Sequence, residues 1–158
     1  MKNSNNNKIV TVVTYNDISA EIKSILSDNR GKSGVYIFTN KLTGKRYVGS
    51  SVDLGRRFGT YLSHKYLSSN LLPISKALLK YGYAEFRLEI IEYCEPKDVI
   101  QREQFYLDLL NPEYNILKVA GSLLGFQHSE STREKLAIFY TPFFFSGFLY
   151  IYILCINI

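Results

Sequence analysis

Between Ser33 and Phe58 the chain reads SGVYIFTNKLTGKRYVGSSVDLGRRF, and this stretch leaves little conformational freedom. Val35 and Ile37 alternate with Tyr36 and Phe38, so each pair points to one side of a strand over about Gly34–Thr39. Asn40-Lys41-Leu42-Thr43-Gly44 is turn chemistry, with Gly44 able to take a positive φ. A second strand follows over about Arg46–Ser50. Gly49 inside it removes a side chain, which lets a backbone or a ligand come close. Asp53 then suits the N-cap of a helix running to Tyr61 or beyond. The order is strand, turn, strand, helix, with almost no spare residues.

The same region is strongly basic. From Arg30 to His64 there are seven Lys or Arg (Arg30, Lys32, Lys41, Lys45, Arg46, Arg56, Arg57) against one acid, Asp53. Two tyrosines and an arginine within such a stretch suggest phosphate chemistry. The whole chain carries a net charge of +5 and a pI near 9.1, which favours an anionic partner and says nothing about fold. Its 158 residues suffice for one ordinary domain with appendages. Cys94 and Cys155 have neither metal-ligand spacing nor a disulfide framework, and suit a reducing compartment. Asn, Lys, Ile, Tyr and Phe are common, as AT-rich codons would specify, and Trp is absent.

Elsewhere the chain yields to periodicity and breakers. Met1–Lys8 is polar and Asn-rich, and is expected to be a disordered leader rather than a secretory or transit signal. Ile9–Thr14 is a β-branched run fit for a short strand. Ile18, Ile22 and Ile25-Leu26 recur at helical spacing after Asn16-Asp17, with Gly31 near the C-cap. Residues 1–32 are thus read as a leader and an adaptor beside the domain. Ser68-Ser69-Asn70 reads as a loop. Pro73 opens a helix over about Leu72–Tyr81 that Gly82 ends. Phe86, Leu88, Ile90 and Ile91 build a third strand. Pro96 starts a last helix, closed by Asn111-Pro112. The expected fold is α+β, a small three-stranded antiparallel sheet flanked by helices over residues 33–116.

Gly34-Val35-Tyr36, Tyr47-Val48-Gly49, Arg57, Glu103 and Asn115 together resemble the catalytic module of the GIY-YIG nucleases, with Val35 and Val48 replacing the motif isoleucines. The resemblance implies the nuclease fold and metal-dependent hydrolysis of DNA phosphodiester bonds. It implies Tyr36, Tyr47, Arg57, Tyr61, Glu103 and Asn115 as site residues. Arg57 would stabilise the scissile phosphate through bidentate contacts, with Arg56 its competitor in the register. Tyr61 lies four residues after Arg57 and shares its helix face. Glu103, in Arg102-Glu103-Gln104-Phe105-Tyr106, would be the protein ligand for Mg2+ or another divalent cation. Asn115 corresponds to the asparagine that closes the family's domain. Lys45, Arg46, Arg56 and His64 are candidates for DNA contact. Taken singly, Tyr36 or Tyr47 reads more readily as a core or rim aromatic, Tyr61 equally as an aromatic packed on the sheet, and each arginine or glutamate as part of a solvated helix face. The pairing of the two tyrosines with glycines and a following arginine reverses the first preference.

Residues 117–137 read as a linker and one short segment that resembles the DNA-binding repeats of intron-encoded homing endonucleases. His128 and Arg133 within it are candidates for phosphate contact. Residues 138–158 form an apolar tail, and from Leu136 to Ile158 no side chain is charged across 23 residues. That length matches a bilayer span. Translated AT-rich sequence after a truncation is the favoured alternative. The expectation is therefore an organellar, mitochondrial homing endonuclease, cut short. It would act on double-stranded DNA as a monomer and without a small-molecule cofactor. A catalytically inactive DNA-binding remnant and a membrane-attached basic protein are the rivals.

Overall fold

The computed structural model describes residues 10–121, Leu117 excepted. The expected leader, the repeat-like segment with His128 and Arg133, and the apolar tail lie outside these residues. The elements are β1 (Val13–Tyr15), α1 (Ile22–Asp28), β2 (Gly34–Asn40), β3 (Arg46–Ser51), α2 (Leu54–Tyr61), α3 (His64–Ser69), α4 (Pro73–Tyr81), a 3-10 turn (Tyr83–Glu85), β4 (Phe86–Tyr93) and α5 (Val99–Leu110). The class is α+β with a small antiparallel sheet and flanking helices, as expected.

The sheet has four strands rather than three, in the order β1-β4-β2-β3. The added strand is β1, whose Val13, Thr14 and Tyr15 pair with Ile90, Glu89 and Leu88 of β4. The segment expected to be an adaptor therefore belongs to the sheet. Its β-branched residues find an edge ready to accept them, a contact that local pattern cannot reveal.

Three helix boundaries also differ from expectation. Residues 17–21 close a turn through Glu21 N–H to the Asp17 carbonyl, and α1 begins only at Ile22. Ser63 accepts the Tyr66 N–H and starts α3, so Ser68 and Ser69 are helical rather than a loop. A turn from Glu95 to Asp98 delays α5 from Pro96 to Val99. Pro73 does open α4, and Gly82 with φ 80° ends it. Among the described residues no helix is long and apolar enough to cross a membrane.

Strand alternation builds two cores. Tyr36 and Phe38 face one way, onto Leu54, Phe58, Tyr61, Leu67, Ile74, Leu78 and Leu88. Val35 and Ile37 face the other way, onto Val48, Ile91 and Leu107 of α5. An irregularity in β4 serves the second face. Val35 pairs with Glu92 and Tyr36 with Ile90, which leaves Ile91 as an extra residue. The bulge turns Glu92 toward α5. There its Oε2 accepts from Arg102 Nη2 at 2.6 Å and from the Tyr106 hydroxyl at 2.9 Å.

Candidate active site

β3 is an edge strand, and helices on opposite faces reach around it, α2 from one side and α5 from the other. At this edge lies an open cleft of about 390 Å³, lined among others by Tyr36, Tyr47, Arg56, Arg57, Tyr61 and Glu103. Five of the six expected site residues thus share one cavity, although 67 residues separate Tyr36 from Glu103 (103 − 36).

The hairpin register sets the tyrosines. Tyr36 pairs with Gly49 and Phe38 with Tyr47, so both tyrosines project from the same face. Gly49 makes room for them. A Cβ there would lie 2.6 Å from the Tyr36 hydroxyl oxygen and 2.9 Å from the Tyr47 ring. The close approach expected at Gly49 is therefore that of a candidate-site side chain. The three hydroxyls form a chain in which Tyr36 donates to Tyr61 at 3.5 Å and Tyr61 donates to Tyr47 at 3.1 Å. Tyr36 and Tyr61 are only 1% and 2% exposed, while Tyr47 is half-buried and closes the chain at the cleft. Burial pushes all three phenols well above 10, each raised further by a neighbouring tyrosine and lowered by Arg57. At neutral pH they are neutral hydroxyls.

Asp53 N-caps α2 by accepting the Arg56 N–H, which orients the helix that carries Arg56, Arg57 and Tyr61. Arg57 is exposed, yet neighbouring groups partly desolvate it; this opposes its charge, but electrostatic attraction to Tyr36, Tyr61 and Tyr47 outweighs the effect and raises its pKa. The same guanidinium lowers the pKa values of all three tyrosines and of Glu103. Arg57 is thus the arginine electrically coupled to the rest of the cleft.

Glu103 projects from α5 on the opposite face. Its Oε2 accepts from the Ser50 hydroxyl at 2.8 Å. Burial raises its pKa above the ordinary carboxylate value, with Ser50 and Arg57 pulling the other way. Among the described residues no three His, Cys, Asp or Glu gather into a metal-binding group. Glu103 nevertheless fits a hard cation. It is a half-buried carboxylate with one oxygen fixed by Ser50, in a solvent-open cleft that Tyr36, Tyr47 and Tyr61 also line. Mg2+ is typically held by one or two carboxylates with waters and substrate oxygens completing its shell.

Asn115 does not line this cleft. Its side-chain amide accepts the Val48 N–H at 2.9 Å and donates to the Val48 carbonyl at 2.8 Å. It therefore completes the outer edge of β3 as a neighbouring strand would, and lines an adjoining cavity with Tyr47 and Glu103. Of the residues expected to contact DNA, Arg56 lines the cleft. Arg46 gives its Nη2 to the Leu110 carbonyl at 3.0 Å, securing the end of α5. Lys45 and His64 are exposed, and the His64 ring faces the Ser68 hydroxyl at 3.3 Å. Ser50 escapes a reading of the sequence because nothing local links it to a glutamate 53 residues away.

The family model described as the GIY-YIG catalytic domain matches residues 32–115. The chain is 32% identical over 139 residues to a protein named "Probable intron-encoded endonuclease bI1" of Neurospora crassa, covering 82% of this chain and 31% of that protein. It is 31% identical over 142 residues to "Probable intron-encoded endonuclease 1" of the same organism, covering 83% of this chain and 46% of that protein. The chain thus spans less than half the length of these curated relatives. A solved structure of the catalytic domain of intron endonuclease I-TevI, in a point-mutant form, is 31% identical with a TM-score of 0.48, covering 58% of this chain and 99% of that one.

Proposed function

Because the chain belongs to the GIY-YIG catalytic-domain family, we propose that it is the nuclease part of an intron-encoded homing endonuclease, hydrolysing DNA phosphodiester bonds with a divalent cation. The observation that carries this reading is the wrapping of one cleft around the β3 edge. It joins a cation (Arg57), a carboxylate (Glu103) and a hydroxyl chain ending at Tyr47. Hydrolysis of a phosphodiester needs neutralisation of the developing charge, a fixed phosphate and a path for the proton of water.

Arg57 offers a fixed charge and two parallel donors to the non-bridging oxygens of the scissile phosphate. A divalent cation, when bound, would neutralise phosphate charge and lower the pKa of nearby water. Glu103 would hold it, with Ser50 fixing the carboxylate. Tyr61 donates to the Tyr47 oxygen, so the Tyr47 hydroxyl hydrogen is free to turn into the cleft. Tyr47 is the tyrosine placed to meet water or phosphate. Tyr36 supports it from within the core.

Magnesium is the cation we propose, and double-stranded DNA the substrate. Phosphates would be met by Arg56 in the cleft, by the exposed Lys45 and His64, and by His128 and Arg133 later in the sequence. Such contacts release counterions, so binding should weaken steeply with salt. Action as a monomer and a mitochondrial location extend the same reading, the latter from the intron-encoded Neurospora relatives. The test is nicking of supercoiled plasmid DNA and cutting of intron-lacking host DNA by the full chain. Cleavage is expected with magnesium and not with EDTA. Equal cleavage in EDTA, or none under any divalent cation, would reject the reading.

A further inference from the structure

The family match begins at Lys32, yet the helix that carries Arg57 and Tyr61 is docked onto residues that precede it. We propose that Asn29 is a positioning residue for the active site. It locks the turn that receives the first turn of α2. Its kinetic consequence rests on the nuclease reading above, whereas its structural consequence does not.

Asn29 is 0% exposed, and a buried amide is costly unless its donors and acceptor are satisfied. Here they are. The Nδ2 group donates to the Ile25 carbonyl at 2.9 Å, closing the end of α1, and to the Tyr15 hydroxyl of β1 at 2.9 Å. The Oδ1 atom accepts from the Tyr93 hydroxyl of β4 at 2.9 Å. One side chain therefore ties a helix to two strands. Tyr15 donates onward to Asp28 Oδ2 at 3.3 Å.

The backbone of the same turn holds α2. A helix leaves its first N–H groups without internal partners. In α2 the Gly55 N–H goes to the Asn29 carbonyl at 2.9 Å and the Leu54 N–H to the Lys32 carbonyl at 2.8 Å. Asp53 Oδ1 accepts both the Arg56 N–H at 3.0 Å and the Gly31 N–H at 3.3 Å. Helix and turn grip each other in both directions. Contact is so close that a Cβ on Gly55 would lie 2.8 Å from Arg30 Cα.

Arg57 follows Gly55 by two residues (57 − 55) and Tyr61 by six (61 − 55), so a tilt at the docked end reaches both. The bonds at risk are the Tyr61 hydroxyl's 3.1 Å to Tyr47 and 3.5 Å to Tyr36, the second already at the limit of a hydrogen bond. A displacement of about 1 Å in a catalytic group can cost about 10²-fold in rate.

The experiment uses the full-length Asn29→Ala variant, below its melting temperature, with supercoiled plasmid DNA and magnesium. Single-turnover nicking should fall about 10- to 10²-fold, while the half-saturating DNA concentration moves less than about twofold. Amide exchange at Leu54 and Gly55 should accelerate, with Ile37 in β2 unchanged. A role confined to overall stability would instead lower the melting temperature and leave nicking by the folded protein intact, and that result overturns the proposal. Unchanged exchange at Leu54 and Gly55 overturns it too. If the wild-type protein does not nick plasmid, the nuclease reading fails by itself and exchange alone decides. Should Asn29→Ala not fold, Tyr93→Phe removes only the bond to Oδ1 and is read by the same two measurements.

Discussion

The two faces of the sheet meet at β3 but are built to different depths. On one face, helices cover the sheet and pack Tyr36 against Phe58 with ring centroids 5.0 Å apart, and Phe38 against Tyr61 at 5.3 Å. On the other, α5 lies over Val35, Ile37, Val48 and Ile91 through Leu107. The deep face holds neutral hydroxyls and the shallow face holds the carboxylate. Desolvation accounts for the division. An ionised carboxylate among the aromatic rings would lose hydration that little there could replace, whereas a phenol loses far less. Glu103 at the rim of the shallow face keeps water access and needs only the Ser50 bond to fix it. The cleft thus draws geometric precision from one face and charge from the other.

The sharpest way to break this pairing is to remove the charge on the shallow face. Glu103→Gln keeps the shape and the Ser50 contact. It should abolish magnesium-dependent cleavage while leaving DNA binding intact, as read by single-turnover cleavage beside a mobility-shift titration. Unchanged magnesium dependence would remove Glu103 from the site. The next largest effect is expected from the cation on the deep side. Arg57→Ala should lower the cleavage rate by about 10²- to 10³-fold, the usual cost of losing one preorganised charge-stabilising group, with little change in melting temperature because the residue is exposed. If Arg56→Ala is inactive and Arg57→Ala is not, the register is wrong by one residue.

A smaller effect tests the link between the faces. Ser50 lies on β3 itself and holds Glu103 across to α5. Ser50→Ala should weaken magnesium affinity about 10-fold, at the low end for loss of a partner that orients a metal ligand, with Ser50→Thr restoring it. Titration of Mn2+ by electron paramagnetic resonance measures this without relying on turnover. Equal affinity in Ser50→Ala would mean that the carboxylate is held by its helix alone.

What sequence can show follows the same division. The hairpin, the Asp53 cap and the opposed directions of Tyr36 and Val35 are legible because strand alternation, turn residues and capping act within a few positions. The meeting of Tyr36, Arg57 and Glu103 is legible only through likeness to a family. No local rule brings Glu103 to Ser50. The fourth strand is hidden because Val13–Tyr15 becomes a sheet edge only once β4 is in place. The role of Asn115 is half-visible, since its position closing the domain is expected but its strand-like pairing with Val48 is not. Asn29 reads as part of a helix end, and its buried partners come from β1 and β4.

The smallest effect concerns the cost of holding a carboxylate even at the shallow face. Burial raises the folded-state pKa of Glu103 above its unfolded value. A group shifted in this direction contributes stability that is complete below the unfolded pKa and is lost as pH rises through the folded pKa. At neutral pH without metal the ionised side chain is therefore a liability, and the neutral amide of Glu103→Gln should melt slightly higher than the wild type. The difference should shrink as pH falls and Glu103 takes up its proton, and should reverse on adding magnesium, which binds only the carboxylate. Melting curves of both proteins across acid and neutral pH, with EDTA and with magnesium, measure all three signs. A variant that melts lower than wild type at neutral pH in EDTA would mean that the Ser50 and Arg57 attractions outweigh desolvation, and that the shallow face stabilises the carboxylate rather than tolerating it.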